Sequence, residues 1–251
     1  MLHAAQLEQF RSEGYLIFES LIPAPQLSHY VSVFDELVEQ GRQLAKPEGH
    51  FTLELHEDGS SRPGLLHKVQ GVCVVEPRIL DLARESVIVE RVVPLVGNDD
   101  VDVFGTKFFP KLAGGGTSTH WHQDNYYFGT DSDRVLSCGI YLQDADVGNG
   151  CLRIVPGSHL NGTIAEHRHE PGMHGSWTDV DDSRAIDVEV PGGSVVLFSA
   201  NLLHGTADND DPERTRYSTA WHYVPGDIDL QRFPRGEYED RFNVRPAVAA
   251  G

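Results

Sequence analysis

Residues 119–128 read Thr-His-Trp-His-Gln-Asp-Asn-Tyr-Tyr-Phe, and His122-Gln123-Asp124 within them decides how the rest of the chain is read. On an extended backbone, side chains alternate with period two, so the imidazole of His122 and the carboxylate of Asp124 point the same way. Both can grip one ion. Far downstream, Leu202-Leu203-His204-Gly205-Thr206 offers an imidazole from a distant strand, completing a three-point face. Two histidines and one carboxylate with open positions opposite is the donor set of non-haem Fe(II) oxygenases. Zinc and manganese accept the same donors, so an isomerase or hydrolase built on those metals stays open at this point.

Outward from this triplet the texture is that of a β protein. From about residue 101 the chain breaks into short apolar runs split by Gly, Pro, Asn and Asp, with candidate strands at 101–109, 134–142, 151–155, 185–190, 194–198 and 216–224. Such punctuation predicts a sandwich or barrel-like core. The first forty-odd residues are helical instead: Leu7, Phe10 and Tyr15, then Leu27, Tyr30, Val31, Phe34, Leu37 and Val38, recur at helical spacing. Pro23 and Pro25 mark the break between two helices, and Gly41 suits the end of the second. A short strand is expected at 14–18, and a third helix from about 76 to 93, closed by Pro94. Residues 160–184 are polar and too long for an ordinary turn, which leaves a lid over the site and a plain surface excursion equally open.

Bulk properties narrow the partners. The chain has 251 residues and a formal net charge of -18. That balance argues against nucleic acid, anionic membranes and very anionic ligands such as acyl-CoA unless a local basic pocket overrides it. A small neutral or cationic metabolite is the favoured substrate on this ground. No apolar run approaches the ~20 residues of a membrane span, and no signal peptide is visible at the start. Cys73, Cys138 and Cys151 are odd in number and set in apolar contexts, so buried free thiols and a reducing cytoplasm are expected. The sequence leaves the oligomeric state open.

Around the triplet, Trp121, Tyr126, Tyr127 and Phe128, with Phe104 and Trp177, are candidate walls of an aromatic pocket. Arg216 and Ser218 share one face of a strand and together suit a distal carboxylate through charge-assisted and hydroxyl hydrogen bonds. Gly114-Gly115-Gly116 lacks the Lys and Ser/Thr of a phosphate-binding loop and fits a flexible hairpin leading to the metal strand.

These segments together resemble the phytanoyl-CoA dioxygenase family of Fe(II)/2-oxoglutarate oxygenases, which includes ectoine hydroxylase. The matching pieces are Gly14-Tyr15-Leu16, Lys68-Val69-Gln70, Trp121-His122-Gln123-Asp124, Asn149-Gly150-Cys151-Leu152 leading into Pro156-Gly157-Ser158-His159, and His204-Gly205-Thr206 with Arg216, in family order. The resemblance implies a mainly β protein with flanking helices and a double-stranded β-helix (jelly-roll, cupin-like) core. It implies one oxygenase domain over 1–251, with 1–100 mainly helical, 101–225 as core and 160–184 as the possible lid.

Carried over by position, His122, Asp124 and His204 would ligate iron, and Arg216 would pair with the far carboxylate of 2-oxoglutarate. The gap from His204 to the arginine is one residue longer than usual, which makes Arg214 a rival. Lys68, Lys107 and Gln123 fall at cosubstrate-proximal positions, although Lys68 also fits a solvated lysine on a strand. Gly139 stands where relatives carry Trp or Ser, which suggests a differently shaped pocket. His159 reads as structural, and His120 and His222 as poor ligand candidates. With Fe(II), 2-oxoglutarate and O2, the expected activity is hydroxylation of an unactivated C–H in a small metabolite, releasing succinate and CO2. Desaturation or cyclisation by the same oxidant is the alternative. Asp124, where halogenating relatives carry a small residue, speaks against halogenation.

Overall fold

The computed structural model describes residues 2–170 and 173–245. In chain order these form α1 (Ala4–Glu13), β1 (Tyr15–Phe18), α2 (Ala24–Arg42), β2 (Phe51–Leu55), β3 (Ser61–Gln70), α3 (Val72–Val75), α4 (Arg78–Ala83), α5 (Ser86–Val96), β4 (Val101–Phe109), β5 (Thr119–His122), α6 (Asp124–Phe128), β6 (Leu136–Tyr141), β7 (Leu152–Ile154), β8 (Ile186–Val188), β9 (Ser194–Ser199), β10 (His204–Thr206), β11 (Ser218–Pro225) and β12 (Arg241–Asn243). A large antiparallel sheet runs β1-β9-β6-β11-β4-β3-β2, with β12 also on β4, and a small one runs β5-β10-β7-β8. The architecture is the expected jelly roll, with a cavity lined from both sheets.

Strands β6 and β9 are buried along their whole length, one face under the helices and the other toward the small sheet. That explains why Ser194–Ser199 carries an apolar run, Val195–Phe198, rather than alternation. One apolar cluster joins α1, α2, α4 and α5 to the outer face of the large sheet through Phe34, Leu37, Ile79, Ile88, Phe108, Trp221 and Tyr223. On α2 the buried stripe is Tyr30, Val33, Phe34, Leu37, Val38 and Gly41, at helical spacing.

Three local expectations need correction. Gly41 does not end its helix; it lies inside the stripe, where a Cβ would come 3.0 Å from Leu66, so it permits close approach to β3. The helix expected at 76–93 is two, α4 and α5, parted at Arg84 and Glu85. Pro94 does not close the second: it rides in the last turn, where only one backbone bond is forfeited, and left-handed Gly97 (φ 68°) ends the helix instead. The first hundred residues also supply β1, β2 and β3 to the large sheet. Register shifts within the β2–β3 pair break the alternation that would have announced that hairpin.

Glycines at the small sheet bring the site strands together. Gly205 follows His204 on β10, and a Cβ there would lie 2.8 Å from the carbonyl oxygen of Thr119 on β5. Gly116 is similarly tight against the backbone of Lys111, at 2.7 Å, so the glycine-rich stretch is a close-packed turn rather than a loose hairpin. Gly205→Ala should therefore destabilise the fold by about 1–3 kcal/mol through overpacking. Urea unfolding measures this, and an unchanged midpoint would contradict it.

Candidate metal centre

β5 ends at His122 and β10 begins at His204, and these two residues face each other in register. Each ring is clamped from behind. Nδ1 of His122 donates to the carbonyl of His120 at 2.7 Å, and Nδ1 of His204 to that of Leu202 at 2.9 Å. A carbonyl only accepts, so the proton sits on Nδ1 and both Nε2 atoms present lone pairs. The backbone stays extended through Gln123 (φ -121°, ψ 130°), which swings Asp124 to the same side before α6 begins. Asp124 Oδ1 then lies 3.5 Å from Nε2 of His122, and Oδ2 lies 3.4 Å from Nε2 of His204. Three buried electron-pair donors facing one another repel unless a cation sits among them. With ligand bonds of about 2.0–2.2 Å, adjacent donors on a shared ion stand roughly 3 Å apart. The arrangement fits a metal ion.

A one-way chain of hydrogen bonds supports the carboxylate. Ser137 Oγ donates to Asp124 Oδ2 at 2.5 Å and takes a bond from Nδ1 of His222 at 3.2 Å, while Nε2 of His222 faces Lys107 Nζ at 3.1 Å. Burial, then the nearby Lys107, pushes His222 down to about 3, so the ring is neutral and the direction of the chain is fixed. Burial opposes the charge on Asp124, whereas the positive charge that the surrounding imidazoles, led by His204, take up in acid holds its carboxyl below the usual range. His222 is thus outside the ligand triad, as expected, yet part of the site. The signal was available: the alternation that sets Ser218 beside Arg216 also sets Ala220 and His222 on that face. Ser137 carried no comparable signal.

Arg216 is buried (2 % exposed) and its Nη1 donates to Ser218 Oγ at 2.7 Å. Its Nε is buried without a protein partner, and no carboxylate pairs with it among the described residues. Burial pulls its pKa below the ordinary value. A guanidinium in this state calls for an anion. The rival Arg214 is spent elsewhere, on Asp146 at 2.5 Å and Asp211 at 2.6 Å.

A cavity of about 310 Å³ joins the two halves, lined by His122, Asp124, His204, Arg216, Ser218, Lys68 and Lys107 among others. Lys68 is therefore not a solvated lysine; burial, then Lys107, lowers its ammonium to about 8. Gln123 corrects its expectation. It does not line the cavity; its amide donates to the carbonyl of Asn201 and accepts from the N–H of Ala165. Of the expected aromatic walls, Tyr127 and Phe128 line the cavity, whereas Phe104 is packed behind it against Phe128 and Phe233. Tyr126 stacks on His167 and Trp177 on Arg168, away from the lining.

In the polar stretch after 160, His174 and Gly175 line the cavity. The segment is tied to the metal strand and α6 at successive points: Thr178 N–H to the carbonyl of Trp121 (2.9 Å), Gln123 N–H to His167 Nε2 (3.0 Å), and Ser176 N–H to the Tyr127 hydroxyl (2.8 Å). A second group of donor atoms, Glu54, His67 and His174, also gathers within 4.8 Å. There the two rings stack 3.7 Å apart at 7°, so their lone pairs run side by side instead of converging, and Glu54 is taken up by His67 and Thr117. That cluster joins His174 to β2 and β3.

Comparison with known proteins places these features in a family. Residues 10–216 match the family model described as phytanoyl-CoA dioxygenase (PhyH). A probable alpha-ketoglutarate-dependent hypophosphite dioxygenase of Stutzerimonas stutzeri is 24% identical over 224 residues, covering 86% of this chain and 77% of the relative. An ectoine dioxygenase of Nocardia farcinica is 26% identical over 231 residues, covering 84% and 74%. Among solved structures, EctD from S. alaskensis with 2-oxoglutarate and 5-hydroxyectoine aligns with a TM-score of 0.74 at 19% identity, covering 94% of this chain and 83% of that one, a likeness of fold.

Ser137→Ala should weaken divalent-metal binding about tenfold, because the carboxylate loses its orienting donor; metal titration with the fold checked by circular dichroism tests this. Acid should also act on the metal-free protein. Burial, then His122, pushes His204 from its ordinary 6.5 to about 4, and His222 falls further. Between those values the unfolded chain binds protons that the folded chain refuses, so stability is full above about pH 6.5 and declines as pH falls toward 4. Urea midpoints across that range should show the decline, and His222→Gln should flatten it.

Proposed function

The chain belongs to the phytanoyl-CoA dioxygenase family of 2-oxoglutarate-dependent non-haem iron oxygenases, and we propose that it hydroxylates an unactivated C–H of a small-molecule metabolite at the centre formed by His122, Asp124 and His204. The observation that carries this reading is the pairing, in one cavity, of a three-donor face with a buried guanidinium that lacks an anion. A zinc or manganese hydrolase needs only the first of these. Bound iron, with 2-oxoglutarate and O2, supplies the oxidant and releases succinate and CO2.

The protein's own residues bind, orient and exclude water. Nε2 of His122, Nε2 of His204 and the Asp124 carboxylate hold the metal, their aim fixed by the carbonyls of His120 and Leu202 and by Ser137. Arg216 and Ser218 receive the far carboxylate of 2-oxoglutarate, while Lys68 and Lys107 add positive potential. Residues 160–184 act as a lid within one oxygenase unit, and Tyr127 ties it down by bonding both the N–H and the carbonyl of Ser176. A cytoplasmic setting fits three buried, unpaired cysteines. No helix among the described residues is long and apolar enough to cross a membrane, and the acidic chain is unsuited to nucleic acid or anionic membranes.

Incubation with Fe(II), 2-oxoglutarate and O2 should release succinate slowly even without the true substrate. His122→Ala and Asp124→Ala should abolish that release with the fold intact. Arg216→Ala should raise the 2-oxoglutarate requirement roughly thirtyfold or more, as expected when a buried charge loses its partner, and Arg214→Ala should leave it unchanged. Succinate release that survives His122→Ala, or activity with zinc alone, would refute the reading.

A further inference from the structure

On the reading of His122, Asp124 and His204 as metal ligands, a side chain from another part of the chain governs how two of them are aimed. In the small sheet β5 lies at the edge, paired among the described residues with β10 alone. An edge strand must satisfy its outward N–H and C=O groups without a neighbouring strand. The Trp121 carbonyl and the Gln123 N–H, two residues apart and so on one edge, are taken up by the chain beyond residue 160. Thr178 N–H donates to the first at 2.9 Å, which is ordinary backbone pairing. Gln123 N–H donates to Nε2 of His167 at 3.0 Å, so there an imidazole stands in for a strand.

His167 is fixed for that acceptor role. Its Nδ1 donates to the carbonyl of Ala165 at 2.7 Å, which leaves the lone pair on Nε2. The ring stacks on Tyr126, 4.1 Å away and nearly parallel at 14°. Two further bonds tie the same pieces together: Ala165 N–H donates to Gln123 Oε1 at 2.8 Å, and the Gln123 amide donates to the carbonyl of Asn201 at 2.7 Å. Gln123 is buried, so loss of the imidazole would leave its backbone N–H unsatisfied. That N–H belongs to the planar peptide joining His122 to Gln123. Holding its plane fixes ψ of His122 and φ of Gln123, the dihedrals that set His122 against Asp124. The next turn is held separately, by Asn125 N–H on the carbonyl of Ala200 at 3.0 Å and Tyr126 N–H on that of Gln123 at 3.2 Å.

We propose that His167 is a positioning residue of the metal centre, setting the bite of His122 and Asp124 on the ion by accepting from the peptide that follows His122. The coupling runs both ways. An ion that is bound more tightly with His167 in place also holds His167 in place, by the same factor. Arg168, next to it, pairs with Trp177 through backbone bonds of 2.7 and 2.8 Å. The influence of the ion thereby extends toward His174 and Gly175, which line the cavity.

The test titrates full-length, metal-free protein with Co(II), whose visible absorption reports the geometry of its ligands. His167→Phe keeps a ring to stack on Tyr126 but removes the acceptor, whereas His167→Gln restores one. Co(II) binding should weaken about tenfold or more in His167→Phe, with an altered visible spectrum, and return to within about threefold of wild type in His167→Gln. Unchanged affinity and spectrum in His167→Phe overturn the inference. A loss in His167→Gln as large as in His167→Phe overturns it too, since the acceptor would then not be what matters. Hydrogen exchange on the wild-type protein decides the question even if His167→Phe does not fold. Co(II) should slow exchange across residues 165–168 about tenfold beyond any change in α2, and no such slowing overturns the inference. Wild-type protein that binds no Co(II) would sink the metal-centre reading itself, an outcome distinct from these.

Discussion

Three electron-pair donors are held within a few ångströms of one another in a place that water scarcely reaches, and the rest of the molecule makes that tolerable. Left to themselves, two imidazole nitrogens and a carboxylate would turn apart or take up protons. The chain blocks both escapes. Backbone carbonyls fix the imidazole protons on the far side of His122 and His204, antiparallel pairing fixes where the rings stand, and the Ser137 hydroxyl fixes the carboxylate. The strand contact closed at Gly205 is part of the same constraint, because the two rings approach only as closely as their backbones allow.

Opposite this donor-rich wall stands its electrostatic complement. Arg216, Lys107 and Lys68 occupy the inner face of the large sheet, on or beside β11, β4 and β3, and Arg216 has no carboxylate of its own among the described residues. Burying cations unpaired is costly, and the fold carries that cost beside a surface rich in acid. The donor wall suits a cation, and the buried guanidinium of Arg216 across the cavity suits an anion.

Much of this was legible in the sequence because period-two alternation is a local property. His122 with Asp124 and Arg216 with Ser218 could each be placed on a common face without knowing the fold. The separation of Arg216 from Arg214 could not, since it depends on Asp146 reaching across from a loop nearly seventy residues away. Gln123 misled for a related reason: a polar residue between two candidate ligands looks like part of the site, yet alternation turns its side chain outward, to the lid and to Asn201. The hairpin β2–β3 was obscured by its own irregular register. Proline usually costs a helix bond, so Pro94 reads as a terminator; its place in the last turn makes that cost small.

The hydrogen bonds from Trp121, Gln123 and Tyr127 to the segment beyond residue 160 bind cover and centre into one mechanical unit. Lifting the cover strips His167 from the amide that sits between His122 and Asp124. Any displacement of that segment would therefore be felt along the strand that carries His122 and as far as Asp124.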